Sequence, residues 1–274
     1  MKMKLRLLAL VSALCISPLA SSHDRWILPS HYNVSAESQE AVWITSDVSA
    51  SNQVFMYDKP VTASDVRVYL PDGKPSSPSS SYTGGRKSVF DVQLLQDGTY
   101  KFEKEVTPRY FSVYKIKGKE GMVRSRLDKK ATAAVMPKDA YELKGSLNVA
   151  RVETYVTRNK PTDKVLAPKG EYLELVPITH PADIVENEPA TLQFVYDGKP
   201  VEGVSVAIMK DGSLYRNKPE EISLTSDKEG KVAMTLPAAG RYLLHASIER
   251  PSPDKSLADK TVSEIFLTFE AGLE

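Results

Sequence analysis

The side chains best suited to chemistry in this 274-residue chain are its four histidines, His23, His31, His180 and His245. His23 stands out because of what precedes it. Residues 1–6 (MKMKLR) are basic, residues 7–20 form an apolar stretch broken by Pro18, and Ala20-Ser21-Ser22 is a small-residue exit. That is the layout of a secretory leader. Cleavage after Ser22 makes His23 the first residue of the exported chain. An N-terminal histidine offers an α-amino nitrogen and an imidazole that close a chelate ring on one ion. Further imidazoles then complete a tetragonal nitrogen site of the kind that suits Cu(II) or Ni(II). Cleavage after Ala20 leaves Ser21-Ser22-His23 instead, whose amine, two amides and imidazole favour the same ions. The competing reading of His23 is a solvated ring at a frayed terminus.

The other histidines are judged by where they sit. His180, in Ile178-Thr179-His180-Pro181, precedes a proline that holds it extended. It lies at the expected hinge between two domains, where two surfaces can converge on one ligand. His245 belongs to the run Tyr242-Leu243-Leu244-His245-Ala246. Alternation there puts Tyr242, Leu244 and Ala246 on one face and His245 with Leu243 on the other. It is read either as a cleft-facing ligand or as a half-buried ring satisfied by backbone. His31 reads as an edge residue that hydrogen-bonds locally, and whether it or a carboxylate also ligates is left open. The metal candidates are therefore His23, His180 and His245, and protons would compete for their nitrogens as pH falls through about 6.5.

Much other chemistry is excluded. The single cysteine, Cys15, lies inside the leader, after Leu14 where a lipoprotein signal wants a small residue. Disulfide, thiolate site and cysteine nucleophile are then unavailable to the exported chain. There is no GxSxG, HExxH, P-loop or GxGxxG pattern, and no carboxylate pair that spacing singles out as acid and base. Asp211-Gly212 and Asp227-Lys228-Glu229-Gly230 lack the ligand alternation of calcium loops and read as hairpin turns. Lys and Arg total 36 against 35 Asp and Glu, a net +1 that offers no basic stripe for nucleic acid. The apolar leader is shorter than the ~20 residues of a bilayer span, and no other run matches it.

These side chains need a scaffold, and the sequence makes it β. Residues 41–45 (AVWIT), 66–70 (VRVYL), 89–94 (VFDVQL) and 150–157 (ARVETYVT) are rich in β-branched and aromatic residues, with PDGK, QDGT and KGKEG turns between such runs. In residues 111–117 (FSVYKIK), Phe111, Val113 and Lys115 oppose Ser112, Tyr114 and Ile116. No i, i+3, i+4, i+7 apolar pattern lasts three turns, so long helices are not expected. From about Leu175 a second set of short strands follows, with turns every 8–12 residues as in antiparallel sandwiches. The expected organisation is a leader (1–22), an N-terminal β-rich domain (23–175) and a C-terminal β-sandwich (176–274).

Residues 182–248, with DGKPVEGVSV and TSDKEGKVAMTLPAAGRYLLHASI, resemble prealbumin-like and carboxypeptidase-regulatory-like β-sandwich modules. Nearly the whole exported chain, from HDRWILPSHY through ARVETYVTRNKPTD and EYLELVPITHPADIVENEPATLQFVYDGKPVEGVSVAIM, resembles the bacterial periplasmic domain-of-unknown-function family 4198. Some members of that family are labelled nickel- or cobalt-uptake components. The resemblance implies an exported, periplasmic, all-β protein of two immunoglobulin-like or prealbumin-like sandwiches in tandem, with a link to transition metals. It carries the family's N-terminal histidine to His23, its hinge to Thr179-His180-Pro181, and its late aromatic strand to residues 242–245. The expectation is a non-enzymatic binding protein for Ni, Cu or Co that serves metal uptake or homeostasis. Without a membrane span after cleavage, it would itself transport nothing and would partner an envelope transporter or receptor. The alternative is a structural or interaction module that docks on an envelope component through strand edges and loops.

Overall fold

A computed structural model describes residues 23–37, 40–217 and 220–274, without the side chains of residues 105 and 106. The leader expected over 1–22, with Cys15, lies outside the described residues.

Among the described residues the chain is all-β, and its strands form three sheets. One has five strands: β1 (Asp24–Pro29), β3 (Val42–Ser51), β4 (Lys59–Pro60), β7 (Ser80–Thr83) and β8 (Ser88–Leu94). Another has four: β12 (Leu173–Pro177), β13 (Pro189–Tyr196), β14 (Lys199–Pro200) and β17 (Lys231–Thr235). Between them lies a ten-stranded sheet. Its N-terminal strands are β2 (Asn33–Val34), β5 (Arg67–Tyr69), β6 (Pro75–Ser76), β9 (Gly98–Ile116), β10 (Val123–Ser125) and β11 (Ala140–Arg158). Its C-terminal strands are β15 (Ser205–Lys210), β16 (Ile222–Thr225), β18 (Gly240–Pro251) and β19 (Lys260–Ala271).

The seam of the large sheet is a parallel ladder between β11 and β19, from Ser146 opposite Lys260 to Thr154 opposite Thr268. The expected boundary at 175/176 falls inside β12, and hydrogen bonds of the large sheet tie together residues on both sides of it. Each sandwich therefore uses part of one common sheet. Alternation assigns the faces. Tyr100 and Phe102 of β9, Val152 and Val156 of β11, Leu243 of β18 and Phe266 of β19 pack toward the five-stranded sheet, around the buried Trp26, Ile44 and Phe90. Tyr155, Leu244, Ala246, Ile265, Leu267 and Phe269 point the other way, into the core beneath Leu175, Leu192 and Phe194 of the four-stranded sheet.

The turns follow their sequence signals. Gly230 closes the Asp227–Gly230 turn with its N–H on Asp227 O at 2.9 Å. It takes φ +72°, and a Cβ there would lie 2.3 Å from Phe194 O, so only glycine fits. One short helix, α1 (Lys129–Val135), follows its N-cap Asp128, whose side chain accepts from Ala131 N–H.

Candidate functional site

His245 sits where alternation puts it, on the face shared with Leu243, half-buried between β1 and β19. Its Nε2 is 3.2 Å from Glu264 Oε1 and its Nδ1 is 3.4 Å from Asp24 Oδ1. The ring stacks on Phe266 at 4.4 Å between centroids, and Arg25 lies over that phenyl ring at 5.8 Å. Burial pushes the imidazole's pKa down, but the hydrogen bonds and charges of Asp24 and Glu264 outweigh it and carry the value to about 9. At neutral pH His245 is therefore an imidazolium whose two N–H groups are both directed at carboxylates. A metal could take either nitrogen only by displacing a proton.

His180 is also fully engaged. It caps a short 3-10 turn, Pro181–Asp183, where Ala182 N–H donates to its Nδ1 at 3.0 Å. That obligatory donor leaves Nε2 to carry the hydrogen, which it gives to Thr99 Oγ1 at 3.1 Å. Thr99 and Thr157 touch across β9 and β11, their hydroxyls 3.1 Å apart, on the face opposite Tyr100 and Val156. His180 and His245 thus lie on opposite faces of the large sheet. His23 is half-buried at the head of β1 with Nε2 3.0 Å from Lys59 Nζ. His31 is exposed and contacts Ser30 Oγ at 3.2 Å. The structure does not bring His23, His180 and His245 together, and among the described residues no group of three His, Cys, Asp or Glu is disposed to hold a metal.

Spacing gave no sign of a buried ionic cluster on the His180 face. Lys101 Nζ lies 2.7 Å from both Glu103 Oε2 and Glu153 Oε2, whose residues oppose each other on β9 and β11. Lys169 Nζ reaches Glu103 Oε1 at 2.6 Å, and Arg151 Nη1 stands 3.7 Å from the same oxygen. Glu174 delivers Lys169 by accepting the backbone N–H groups of Lys169, Gly170 and Glu171 at 2.6–2.9 Å, which folds that loop over the cluster. Burial, only partly offset by Lys101, pushes the Glu153 carboxyl up. Glu103 is fully buried, and the carboxylates are held by three surrounding cations. The group joins strands and offers no open face to a substrate.

One open surface of the molecule lies on an arm formed by the far halves of β9 and β11. A bulge at Thr107 and Pro108, between Val106 opposite Ala150 and Arg109 opposite Asn148, shifts the register of β9. Proline has no N–H for the ladder and is tolerated at such a break. Beyond it β9, β10 and the first half of β11 run on as a three-stranded ribbon. One face is covered by α1: Ser112 donates to Leu127 O at 3.0 Å, and Thr132 is fully buried. The β18–β19 hairpin braces the ribbon's base, where Lys129 N–H donates to Leu257 O at 2.8 Å and Gly145 N–H to Asp259 Oδ2 at 2.8 Å.

The other face is bare. Arg109, Phe111, Val113 and Lys115 alternate along β9, opposite Ser146, Lys144 and Tyr141 of β11, with Arg124 of β10 beside Val113. Val113, Lys115, Met122, Tyr141 and Lys144 line a shallow hollow of about 510 Å³. A second, of about 360 Å³, lies between Arg109, Phe111, Arg126 and Leu127. Tyr141 is 42% exposed and Met122 62%, and Val135 on the helix side is 70% exposed. Residues 109–144 hold ten lysines and arginines against four acids, +6 within a chain of net +1. The alternation of residues 111–117 pointed to this strand. A running charge count over 109–144 would have marked the arm, which whole-chain neutrality hides.

A family model described as domain of unknown function (DUF4198) matches residues 20–250, most of the chain. A search of curated proteins finds no match. Among solved structures, the D0-D1 domain of intimin aligns at 12% identity over 92% of this chain and all of that one, with TM-score 0.23. The FN1-FN3 domains of chicken CNTN1 align at 7% identity over 89% of this chain and 99% of that one, with TM-score 0.25.

Proposed function

The chain belongs to this family of domains of unknown function, which fixes no activity, and we propose that it is an exported, non-catalytic β-sandwich module that docks on a cell-envelope component through its arm. Export rests on the leader pattern of residues 1–22. The observation that carries docking is the bare face of the arm, where Phe111, Val113, Met122 and Tyr141 stand exposed or half-exposed among Arg109, Lys115, Lys119, Arg124 and Lys144. Apolar side chains interleaved with cations on an uncovered surface mark an interaction site. Two of the three histidines that would build a metal centre are spent on hydrogen bonds and ion pairs.

The test is in-cell photo-crosslinking with a benzophenone residue in place of Phe111 on the arm, or of Tyr215, an exposed residue on the loop after β15. Discrete adducts from position 111 and none at 215 support docking through the arm. No adducts at 111 to either protein or lipid, or the same set from both positions, overturn it.

A second reading is kept for His23 alone. Lys59 meets its Nε2, whereas the nitrogen that closes a ring with a processed α-amine is Nδ1. Calorimetric titration of Ni(II) and Cu(II) into the processed chain tests it, with a control bearing one extra residue before His23. Sub-micromolar one-to-one binding lost in the control supports a chelate at the amine, and equal weak binding by both dismisses it.

A further inference from the structure

We infer that the partner of the arm is an anionic phospholipid surface, entered by the arm's far end. The inference deepens the docking reading and depends on it.

The far end is formed where β9 ends and β11 begins, at the turn after Ile116 and at the link from α1 into β11. Lys117 N–H donates to Asp139 O at 3.2 Å, so these two loops lie side by side. Met122 and Tyr141 stand there on the bare face and Val135 on the helix side, all three exposed. Lys119 and Lys144 line the hollow with Met122 and Tyr141, and Lys117 and Lys138 lie on the two loops. The end lies about 25 Å along β9 from the bulge at the body, beyond the brace at Gly145 and Asp259.

This distribution favours a lipid surface over an acidic protein. Apolar side chains occur on both sides of the ribbon's end, whereas a groove for one protein epitope would gather them on one side. The cations sit around them rather than opposite them. Long lysine side chains can then rise to lipid phosphates while the apolar groups enter the acyl boundary. The acids of the region are partly engaged: Glu142 pairs with Lys115 at 2.7 Å, and Asp128 caps α1. With Glu120 and Asp139 counted, the end still carries five lysines (Lys115, Lys117, Lys119, Lys138 and Lys144) against three acids, a net positive charge where it would meet the membrane.

Co-sedimentation of the processed chain with vesicles tests this. Binding to phosphatidylglycerol-containing vesicles, absent with pure phosphatidylcholine and lost as salt is raised, is expected. Each cation is worth about fivefold in partition, so the combined variant Lys117→Glu, Lys119→Glu and Lys138→Glu should bind more than about a hundredfold more weakly. Met122→Ser with Val135→Ser, at unchanged charge, should weaken binding several-fold. All variants are checked for an unchanged thermal transition, and the salt series on the unaltered chain gives the charge dependence without any substitution. Salt-independent binding, equal binding to both vesicles, or no binding to either overturns the inference. If vesicles fail while position 111 yields protein adducts, the lipid partner is overturned and docking through the arm stands. If both fail, both readings fall.

Discussion

His245 shows how a residue chosen for one chemistry takes up another. A carboxylate on each side turns a candidate ligand into a cation, and the cation holds the first strand against the last. The consequence for pH follows in sign from the raised value of about 9. Unfolded histidine titrates near 6.5, so the interaction stabilises the fold fully below that value and fades as pH climbs from about 6.5 through about 9. Urea unfolding should show a loss of about 2–3 kcal/mol across that window. His245→Gln should be less stable at pH 6 and show a flatter profile. A variant that tracks the parent across the window would mean that His245 is not charged in the fold. The side of the strand was legible from Leu243 and Leu244. Asp24 and Glu264 were not, because Asp24 is distant in sequence and belongs to another sheet.

Among the elements, β9 and β11 carry the most unexpected structure. The segment ARVETYVT identified β11 correctly and left open what its charged residues would meet. Arg151 and Glu153 are buried with Lys101 and Glu103, because the loop held by Glu174 crosses above them. Period-two alternation separates two faces and does not say which one meets water. Removing one member leaves uncompensated charge in the interior, so Lys101→Met should cost about 3–5 kcal/mol in chemical denaturation. Replacing Lys101, Glu103, Arg151 and Glu153 together with apolar residues of similar size should recover much of that loss. A single variant as stable as the parent would show that the cluster is wetter than its geometry implies. The 19-residue length of each strand was also hidden, since Pro108 breaks the sequence pattern of β9 where the structure only bulges.

At the scale of the whole molecule, two sandwiches were legible from turn spacing and their common sheet was not. Parallel pairing of β11 with β19 joins segments more than a hundred residues apart and leaves no local signal. The junction at 175/176 is therefore a poor place to divide the chain. A fragment covering 23–175 loses Leu243 and Phe266 from its core and bares the β11 edge. It should be insoluble alone, and co-expression with 176–274 should restore a soluble complex. A monomeric 23–175 fragment with a cooperative melt would show that the N-terminal unit is self-sufficient.

The place of β19 also sets an order of events. The strand that is last in the chain lies inside the sheet, between β18 and β11. A polypeptide made or threaded from its N-terminus would wait, with that slot vacant, until residues 260–271 arrived. Closure would then be a late, long-range step, slow by the usual link between sequence separation and folding rate. During that interval the open flank of β11 is the place where a chaperone has most to protect.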